Sequence, residues 1–423
     1  MGVSKDEGAA GLLGDGVKQK VDVLIAGAGP SGLLLATALK KLAGPALEVL
    51  VVDGAAGAIT SSPRTSALAP APRNMLETLG VWHRIADKAQ PVLAMEISDS
   101  RLDDAVRLPQ LHFDARGSGH GELAHIVFHR DLDAAVLERA LELGVHIRPS
   151  NAVDFTSGVS VISVTCADGE TVGARLLVSA DGSKSLLRQR AGIKSLAWDY
   201  ERVAIAATIG HERDHDGVAV QNFLESGPFA LLPLTGRRSS LIWTEHPAAA
   251  RKVLELSDAD FLSEVLRRAG HRLGDLHLID RPVMFPLSFM MARTFTAPRF
   301  ALVGDAAHRV HPLAGQGLNL ALRDVACLAD AIFDQAALGL DIGAPEVLRS
   351  YEQMRRFDSV VSAASVDLLH HIYARNGAVA GQVRRSGMSL VDRMPLLKRV
   401  LRAEAMGVTG VTPTLFKPPQ VVM

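Results

Sequence analysis

The chain is poor in the residues that mark several classes of protein. Two cysteines, Cys166 and Cys327, occur in 423 residues. One lies in a strand-like run and the other in a helix-like run. This excludes a secreted disulfide framework and fits two buried apolar thiols in a reducing compartment. Aromatic residues make up 4% of the chain, and none is interleaved with a basic stripe, so no nucleic-acid partner is expected. Charge of neither sign prevails: 45 Lys and Arg stand against 46 Asp and Glu, and no global field draws the protein to polyanions. The longest apolar stretch, residues 21–39, is broken by Gly, Pro and Ser and does not read as a membrane span. The N-terminal segment lacks the apolar core of a signal peptide. Asp6, Glu7 and Asp15 argue against a transit peptide, and Asp6 occupies the place where a myristoylation signal has Ser or Thr. These features point to a cytoplasmic protein with no internal repeat and with ordinary globular composition.

What is present first is a βαβ unit. Residues 21–26 (VDVLIA) form a continuous apolar run, as expected of a parallel strand buried on both faces. A Gly-rich turn and a helix-periodic run (LLLATALKKLA) follow, and residues 47–52 (LEVLVV) read as a second buried strand. Residues 203–209, 229–234 and 239–244 read as successive strands without helices between them, the last two joined by the turn TGRR, so an antiparallel sheet is expected. Ser257 and Asp260 form a capping box for a helix that ends at Gly270. Residues 300–304 (FALVG) return to buried-strand character, and helix signals dominate from Gln316 to about residue 405. The dinucleotide fold is therefore expected to be interrupted. Its segments would be 20–95, 125–195 and 295–350. A second domain would take 96–124 and 196–294, and a helical region 351–423.

The turn GAGPSG places Gly27, Gly29 and Gly32 in the G-x-G-x-x-G pattern between strand and helix. The first glycine permits a tight turn, the second lets a pyrophosphate approach the backbone, and the third lets helix and strand pack closely. Asp53 ends the second strand, where a carboxylate can accept ribose hydroxyls. Further along, a buried strand delivers Gly304 and Asp305 to its carboxyl end, the binding edge of open α/β sheets. Asp305 can accept a hydrogen bond from a second polyol, such as the ribityl chain of a flavin. Pro312, Gly315 and Gly317 form a loop with no bulky side chains, against which a flat ring could lie. The helix that starts beyond it would favour negative charge on the pyrimidine end of a reduced flavin. His308 and His311 are read as hydrogen-bonded loop residues. They do not suit a zinc pair, so no metal is expected.

The stretch GDAAHRVHPLAGQGLNLALRD closely resembles the signature of the ubiquinone-biosynthesis flavin hydroxylases, a branch of the class A flavoprotein aromatic monooxygenases that includes the 2-polyprenylphenol hydroxylases. The segments PRTSALAPAPRNMLETLGVW, FHRDLDAAVLERAL, LLVSADGSKSLLRQRAGI, GPFALLPL and LVDRMPLLKRVLRAEAMG agree with the same family, so the resemblance spans residues 20–407. Ala321 departs from it, standing where the signature usually has glycine, and Asp53 stands where many relatives have glutamate.

The resemblance implies an α/β fold of the p-hydroxybenzoate hydroxylase type: a discontinuous Rossmann-like FAD-binding domain, an antiparallel-sheet substrate domain and a C-terminal helical region. It implies FAD as cofactor, O2 as cosubstrate and NAD(P)H as reductant. It also implies hydroxylation of a polyprenylated phenol or quinone precursor through a flavin C4a-hydroperoxide. It places Arg64 and Pro312 beside the flavin ring and substrate, and Gly304, Asp305, Gln316, Gly317 and Asn319 in the flavin loop. Arg130 would sit at the FAD phosphates. Asp181 and Gly182 match an Asp-Gly motif linked to flavin and pyridine-nucleotide binding, with a plain turn as the alternative. Arg188 either meets a nicotinamide cofactor's phosphate or caps its own helix. Apolar candidates for a dry pocket are Phe223, Pro228, Phe229, Leu231, Pro233, Phe285, Pro286 and Leu287, most of them expected to serve as sheet core. A lipid-soluble substrate would be met at the inner-membrane surface, through a carrier, or within a ubiquinone-synthesis complex. Three rival functions are weighed: a hydroxylase of a small soluble aromatic, a non-catalytic FAD-binding subunit, and a flavin halogenase. The last is disfavoured because Trp82, Trp198 and Trp243 are scattered.

Overall fold

The computed structural model describes residues 17–55, 58–59, 62–102, 104, 108–115, 121–310, 316–374, 394 and 412–418. His311, Pro312 and Gly315 lie outside the described residues, as do residues 375–393 and 395–411, and Gln316 is described in its backbone alone.

The chain is organised around two large sheets. Val17–Ala26 pairs in parallel with Val49–Val52 on one side and Thr171–Ser179 on the other, and Thr171–Ser179 pairs in parallel with Phe300–Leu302. The apolar run at 23–26 is buried on both faces. Helix α1 (Pro30–Ala43) begins with proline at its first turn, where the missing N–H costs nothing, and buries Leu33, Leu34, Leu35 and Leu39 against that sheet. Lys40 and Lys41 sit in its last turn, where the helix dipole favours cations. Among the described residues the sheet has eight strands, with His146–Arg148 at one edge and Thr296–Ala297 at the other.

The second sheet has nine strands and is antiparallel apart from one parallel pair, Val218–Leu224 with Ala94–Asp99. Its spine is Ser195–His211, flanked by Val283–Ala292 and Arg238–Glu245. Strand Gly227–Leu234 turns at Gly236 (φ +76°) into Arg238–Glu245, the hairpin read from TGRR. One face of this sheet is covered by helices α5 (Pro247–Leu254) and α6 (Asp258–Ala269), whose Phe261 and Val265 meet Phe229, Leu231 and Trp243. The capping box is formed: the Ser257 hydroxyl accepts from Asp260 N at 3.2 Å and donates to Asp260 Oδ2 at 2.7 Å.

A three-stranded antiparallel sheet, Thr65–Leu68, Ala124–Phe128 and Gln90–Val92, lies between the two. It was not legible as strands, because segments of three to five residues carry no periodicity to read. It is flanked by α2 (Pro70–Leu79) and α3 (His129–Glu142). A short α4 (Leu186–Arg190) follows the Asp-Gly turn. The chain closes with α7 (Gln316–Ala337) and α8 (Pro345–Ala374). A terminal turn, Thr414–Phe416, buries Leu415 and Phe416 and returns to α2 through Asn74 Nδ2 donating to Phe416 O at 3.0 Å.

Candidate functional site

The three glycines of the first turn show three different environments. Gly27 has φ +111°, and a Cβ there would stand 2.4 Å from the Ala180 carbonyl oxygen. A Cβ on Gly32 would stand 2.0 Å from the carbonyl oxygen of Gly27, so helix and turn touch through backbone alone. A Cβ on Gly29 would meet nothing within 4 Å. The open space is at the residue that caps α1, where free helix amides converge. Asp53 completes this end: its Oδ2 accepts from Ala28 N at 2.6 Å and its Oδ1 from Ala55 N at 2.7 Å. Each carboxylate oxygen keeps a second lone pair for a hydroxyl donor.

The other end is formed where Phe300–Leu302 runs out. Gly304 has φ +60°, and a Cβ there would lie 2.4 Å from Ser31 Oγ and 3.5 Å from Ala321 Cβ. The two ends are thus in contact through Ser31. Ala321 is accommodated: it is buried in α7 against this bend. Asp305 is exposed at the strand terminus. The protein around it nevertheless raises its carboxyl pKa through desolvation, while the charges of His308, Arg309 and Arg64 pull the other way. An exposed acid at a strand terminus can accept a hydrogen bond from a hydroxyl donor. Gly317, in the first turn of α7, is half-buried close to Val310.

Arg64 is exposed at the start of Thr65–Leu68. Its carbonyl accepts from His129 N at 3.0 Å, and its charge acts on Asp305, His129 and Asp133. Arg130, at the start of α3, is half-buried with its guanidinium 4.3 Å from the centre of the Phe128 ring. Asp181 follows strand Thr171–Ser179. It accepts from the Ser179 hydroxyl and from Leu186 N, so its carboxylate organises the turn into α4. Arg188 is buried and donates to the carbonyls of Ala306 at 2.8 Å and Ser183 at 2.9 Å. It joins the Asp-Gly turn to the Gly304 bend and neither caps its own helix nor faces outward for a phosphate. Asn319 is likewise committed to backbone, accepting from Ala69 N at 3.0 Å and donating to Ala67 O at 2.8 Å.

The pocket candidates divide by strand alternation. One face of the large sheet meets the three-stranded sheet: Ser240 Oγ lies 2.8 Å from Thr65 Oγ1, and Leu234 and Ala219 pack with Val92, Ile126 and Phe128. Phe223 and Pro228, paired across neighbouring strands, take this face. Phe285 pairs with Ala204 and packs against the core of the dinucleotide domain. Phe229, Leu231 and Pro233 occupy alternate positions and point to the opposite face. There Phe229 and Leu231 pack with Trp243, under α6. They lie on the helix-covered side of the sheet, as the period of two in a strand dictates. Pro286 pairs with Val203, which packs under the same helices. Pro286 is exposed, and its carbonyl accepts from Arg309 Nη2 at 3.1 Å. Leu287 is buried in the dinucleotide-domain core.

Several residues at the site carry no motif. His129 Nε2 lies 2.7 Å from Ser66 Oγ, and burial, aided by the charge of Arg64, lowers its pKa to about 4. Asp133, one turn further along α3, has one buried carboxylate oxygen without a hydrogen-bond partner, and burial raises its pKa to about 6. Asp324 and Arg355 meet behind the bend with no exposed surface at all. Asp324 closes the stretch GDAAHRVHPLAGQGLNLALRD and is a charge inside an otherwise apolar helical run, LRDVACLADAI, whereas Arg355 belongs to no motif. Cys166 and Cys327 are free and buried, as expected.

Residues 20–363 match the family described as FAD binding domain. The chain is 38% identical over 420 residues to ubiquinone hydroxylase UbiL of Rhodospirillum rubrum, covering 98% of this chain and 95% of that one. It is 30% identical to 3-demethoxyubiquinol 3-hydroxylase of Escherichia coli, covering 92% of this chain and 99% of that one. The crystal structure of p-nitrophenol 4-monooxygenase PnpA from Pseudomonas putida superposes with a TM-score of 0.75 at 18% identity, over 93% of this chain and all of that one. That superposition places the fold among the p-hydroxybenzoate hydroxylase-like flavoproteins.

Proposed function

Since the chain belongs to the FAD-dependent hydroxylases of ubiquinone biosynthesis, we propose that it inserts one oxygen atom of O2 into the aromatic ring of a polyprenylated phenol or quinone precursor of that pathway. The observation that carries this reading is a pair of carboxylates, Asp53 and Asp305, at the carboxyl ends of two strands of the parallel sheet, with Gly304 beside Ser31 at the start of α1; each could accept a polyol hydroxyl. A dinucleotide with two sugar-like chains fits such a pair. Gly29 and the first amides of α1 would take the pyrophosphate, and Asp53 the ribose. Asp305 would take the ribityl chain, with Gly304, Gly317 and the start of α7 beside the ring system. Pro312, Gly315 and Gln316 keep their assignment to that loop from sequence alone, and Arg130 its assignment to the phosphates. FAD, when bound, supplies the redox chemistry with NAD(P)H and O2. The chain's own part is to bind and orient the cofactor, exclude water and present the ring to it. Phe223, Pro228 and Phe285 are the apolar residues on the side suited to that task, and Arg64 is the cation that reaches both cofactor and substrate.

The same reading makes 20–95, 125–195 and 295–350 the cofactor-binding segments and 96–124 and 196–294 the substrate-binding ones. No helix among the described residues is long and apolar enough to cross a membrane, so a prenylated substrate would be met by peripheral contact or within a complex. The test is to delete the gene in its host and identify the accumulated quinone precursor by mass. Alongside it, the purified protein is reconstituted with FAD and 18O incorporation from 18O2 is followed. A missing-hydroxyl precursor and labelled product are expected. Intact ubiquinone with no accumulated intermediate would refute the pathway. Turnover of a hydroxybenzoate alone would assign a small soluble aromatic, and pathway loss without any turnover would assign a non-catalytic subunit.

A further inference from the structure

Behind the bend that carries Asp305 lies a buried charge cluster that joins two residues of the 304–324 signature, His308 and Asp324, to Arg355 outside it. Asp324 of α7 and Arg355 of α8 are both fully buried. Asp324 Oδ1 accepts from Arg355 Nε at 2.8 Å. Asp324 Oδ2 accepts from the backbone N–H of Gly304 at 3.0 Å and lies 2.6 Å from His308 Nε2. Arg355 Nη2 donates to Ser359 Oγ at 3.1 Å, and Asp358 stands 3.5 Å from Nη1 and 3.6 Å from Arg323. The same side of α8 grips the strand that feeds the bend: Tyr351 OH donates to Leu302 O at 2.7 Å, and Glu352 accepts from Phe295 N and the Thr296 hydroxyl. Burial opposes the charge on Asp324, yet His308 and Arg355 outweigh it and hold the carboxyl below its ordinary range.

We infer that the Asp324–Arg355 pair is a positioning device for the cofactor, fixing from behind the Gly304–His308 bend that presents Asp305. Stability alone does not account for it. A buried ion pair contributes little that well-packed apolar residues of the same volume would not, because both charges must be desolvated. What the pair adds is direction: one carboxylate oxygen clamps a backbone amide and a histidine four residues apart, on either side of Asp305. On its other side Gly304 is closely approached by α1, since a Cβ there would lie 2.4 Å from Ser31 Oγ and 3.1 Å from Ser31 Cβ. A bend released from Asp324 would shift Asp305 against the α1 amides, and the two cofactor-binding ends would lose register. A misplacement of about 1 Å is enough to matter at such a site.

The inference rests on Asp305 meeting the cofactor's polyol, so the experiment separates the two. Apoprotein is prepared for Asp305→Ala, Asp324→Asn, Arg355→Met, Arg355→Lys and the double variant Asp324→Leu/Arg355→Met. FAD affinity is measured by fluorescence quenching, bound-flavin geometry by visible circular dichroism, and fold by thermal unfolding. Asp324→Asn and Arg355→Met are expected to weaken FAD binding by about tenfold or more and to change the visible dichroism. Arg355→Lys recovers part of the affinity. The double variant recovers thermal stability without recovering FAD affinity. Folded single variants that bind FAD like wild type with unchanged dichroism would overturn the inference, as would a folded double variant with wild-type affinity. If neither single variant nor the double folds, hydrogen exchange of the Gly304 amide in wild-type apoprotein decides. Protection equal to the sheet core supports the clamp, and exchange as fast as exposed loops overturns it. Asp305→Ala retaining full FAD affinity would instead sink the Asp305 assignment and leave the clamp's measured effects standing.

Discussion

The Gly27–Asp53 end of the candidate site and the Gly304–Asp305 end are built in different ways. Gly27, Gly29, Gly32 and Asp53 lie within one βαβ unit, and the contacts that shape their end are between near neighbours or adjacent strands. The Gly304–Asp305 end draws on distant segments: Asp305 on its bend, Arg64 before the three-stranded sheet, Arg188 after the Asp-Gly turn, Asn319 and Asp324 on α7, and Arg355 on α8. The first end is specified by shape, through missing side chains. The second is specified by buried polar contacts that hold a short irregular segment in place. A shape-built site fails by steric intrusion, whereas a contact-built one fails by loss of orientation.

The largest effect is expected where the first principle is tested. Gly32→Ala puts a methyl 2.0 Å from a backbone oxygen that cannot retreat, costing about 3 kcal/mol or more, and soluble holoprotein should not be recovered. Gly29→Ala adds the same methyl into open space. Its apoprotein should unfold at the wild-type temperature while FAD affinity falls sharply. Equal thermal destabilisation by both would break the distinction between a packing glycine and a ligand-facing one.

At the other end, Asp305→Ala should do the reverse of a packing mutation. Desolvation raises the folded-state pKa of Asp305. An acid with a raised folded-state pKa favours folding when protonated, and that contribution is lost as pH rises through its folded pKa. At neutral pH the ionised group therefore works against the apoprotein fold. Its removal should leave the apoprotein melting temperature unchanged or higher, with flavin retention lost on gel filtration. A destabilised apoprotein would mean that Asp305 is structural.

How much could be read from sequence follows the same divide. The strand Val17–Ala26, the glycine turn and Asp53 were legible because strand, turn and helix lie within one window and each residue type has one physical role there. The place of Asp305 at the end of a buried parallel strand was legible because the run FALVGD is apolar up to Gly304. Asn319 was read into the flavin loop and Arg188 as a phosphate contact or a helix cap; the amide of Asn319 bonds the backbone of Ala67 and Ala69, and Arg188 reaches the Ala306 carbonyl, contacts across the chain that no local pattern encodes. Phe229, Leu231 and Pro233 were offered with Phe223 and Phe285 as pocket residues. Which parity packs under α6 is a tertiary fact that strand alternation alone does not give. Arg355 was invisible because a lone arginine in a helix reads as a solvated face.

Asn319 offers a smaller effect that sharpens the comparison. Its amide ties α7 to the segment between Thr65–Leu68 and α2 by two hydrogen bonds. Asn319→Leu leaves Ala69 N–H and Ala67 C=O without these partners, at about 2 kcal/mol. Urea unfolding of the apoprotein should show that loss, and FAD affinity should drop with it, because the start of α7 and Arg64 would lose register together. Lost stability with wild-type FAD affinity would confine Asn319 to the scaffold.

The smallest effect concerns the ground between the ends, where Arg64 acts on Asp133. Burial raises Asp133 from 3.8 to about 6, with Arg64 opposing. Its contribution to folding is therefore complete below 3.8 and is lost as pH rises through about 6. His125 and His129 run the other way. Burial first, then Arg73 and Arg64 respectively, lower both from 6.5 to about 4, so their contribution is present above 6.5 and disappears as pH falls through about 4. The two histidines oppose the one acid, and the wild-type apoprotein should lose stability on acidification through this window. Asparagine mimics the protonated acid. Asp133→Asn should raise the apoprotein melting temperature by a few degrees at about pH 7.5, and the gain should vanish near pH 4. If the gain were the same at both pH values, Asp133 would have the same pKa folded and unfolded, and Arg64 would owe its placement to the contact-built end alone.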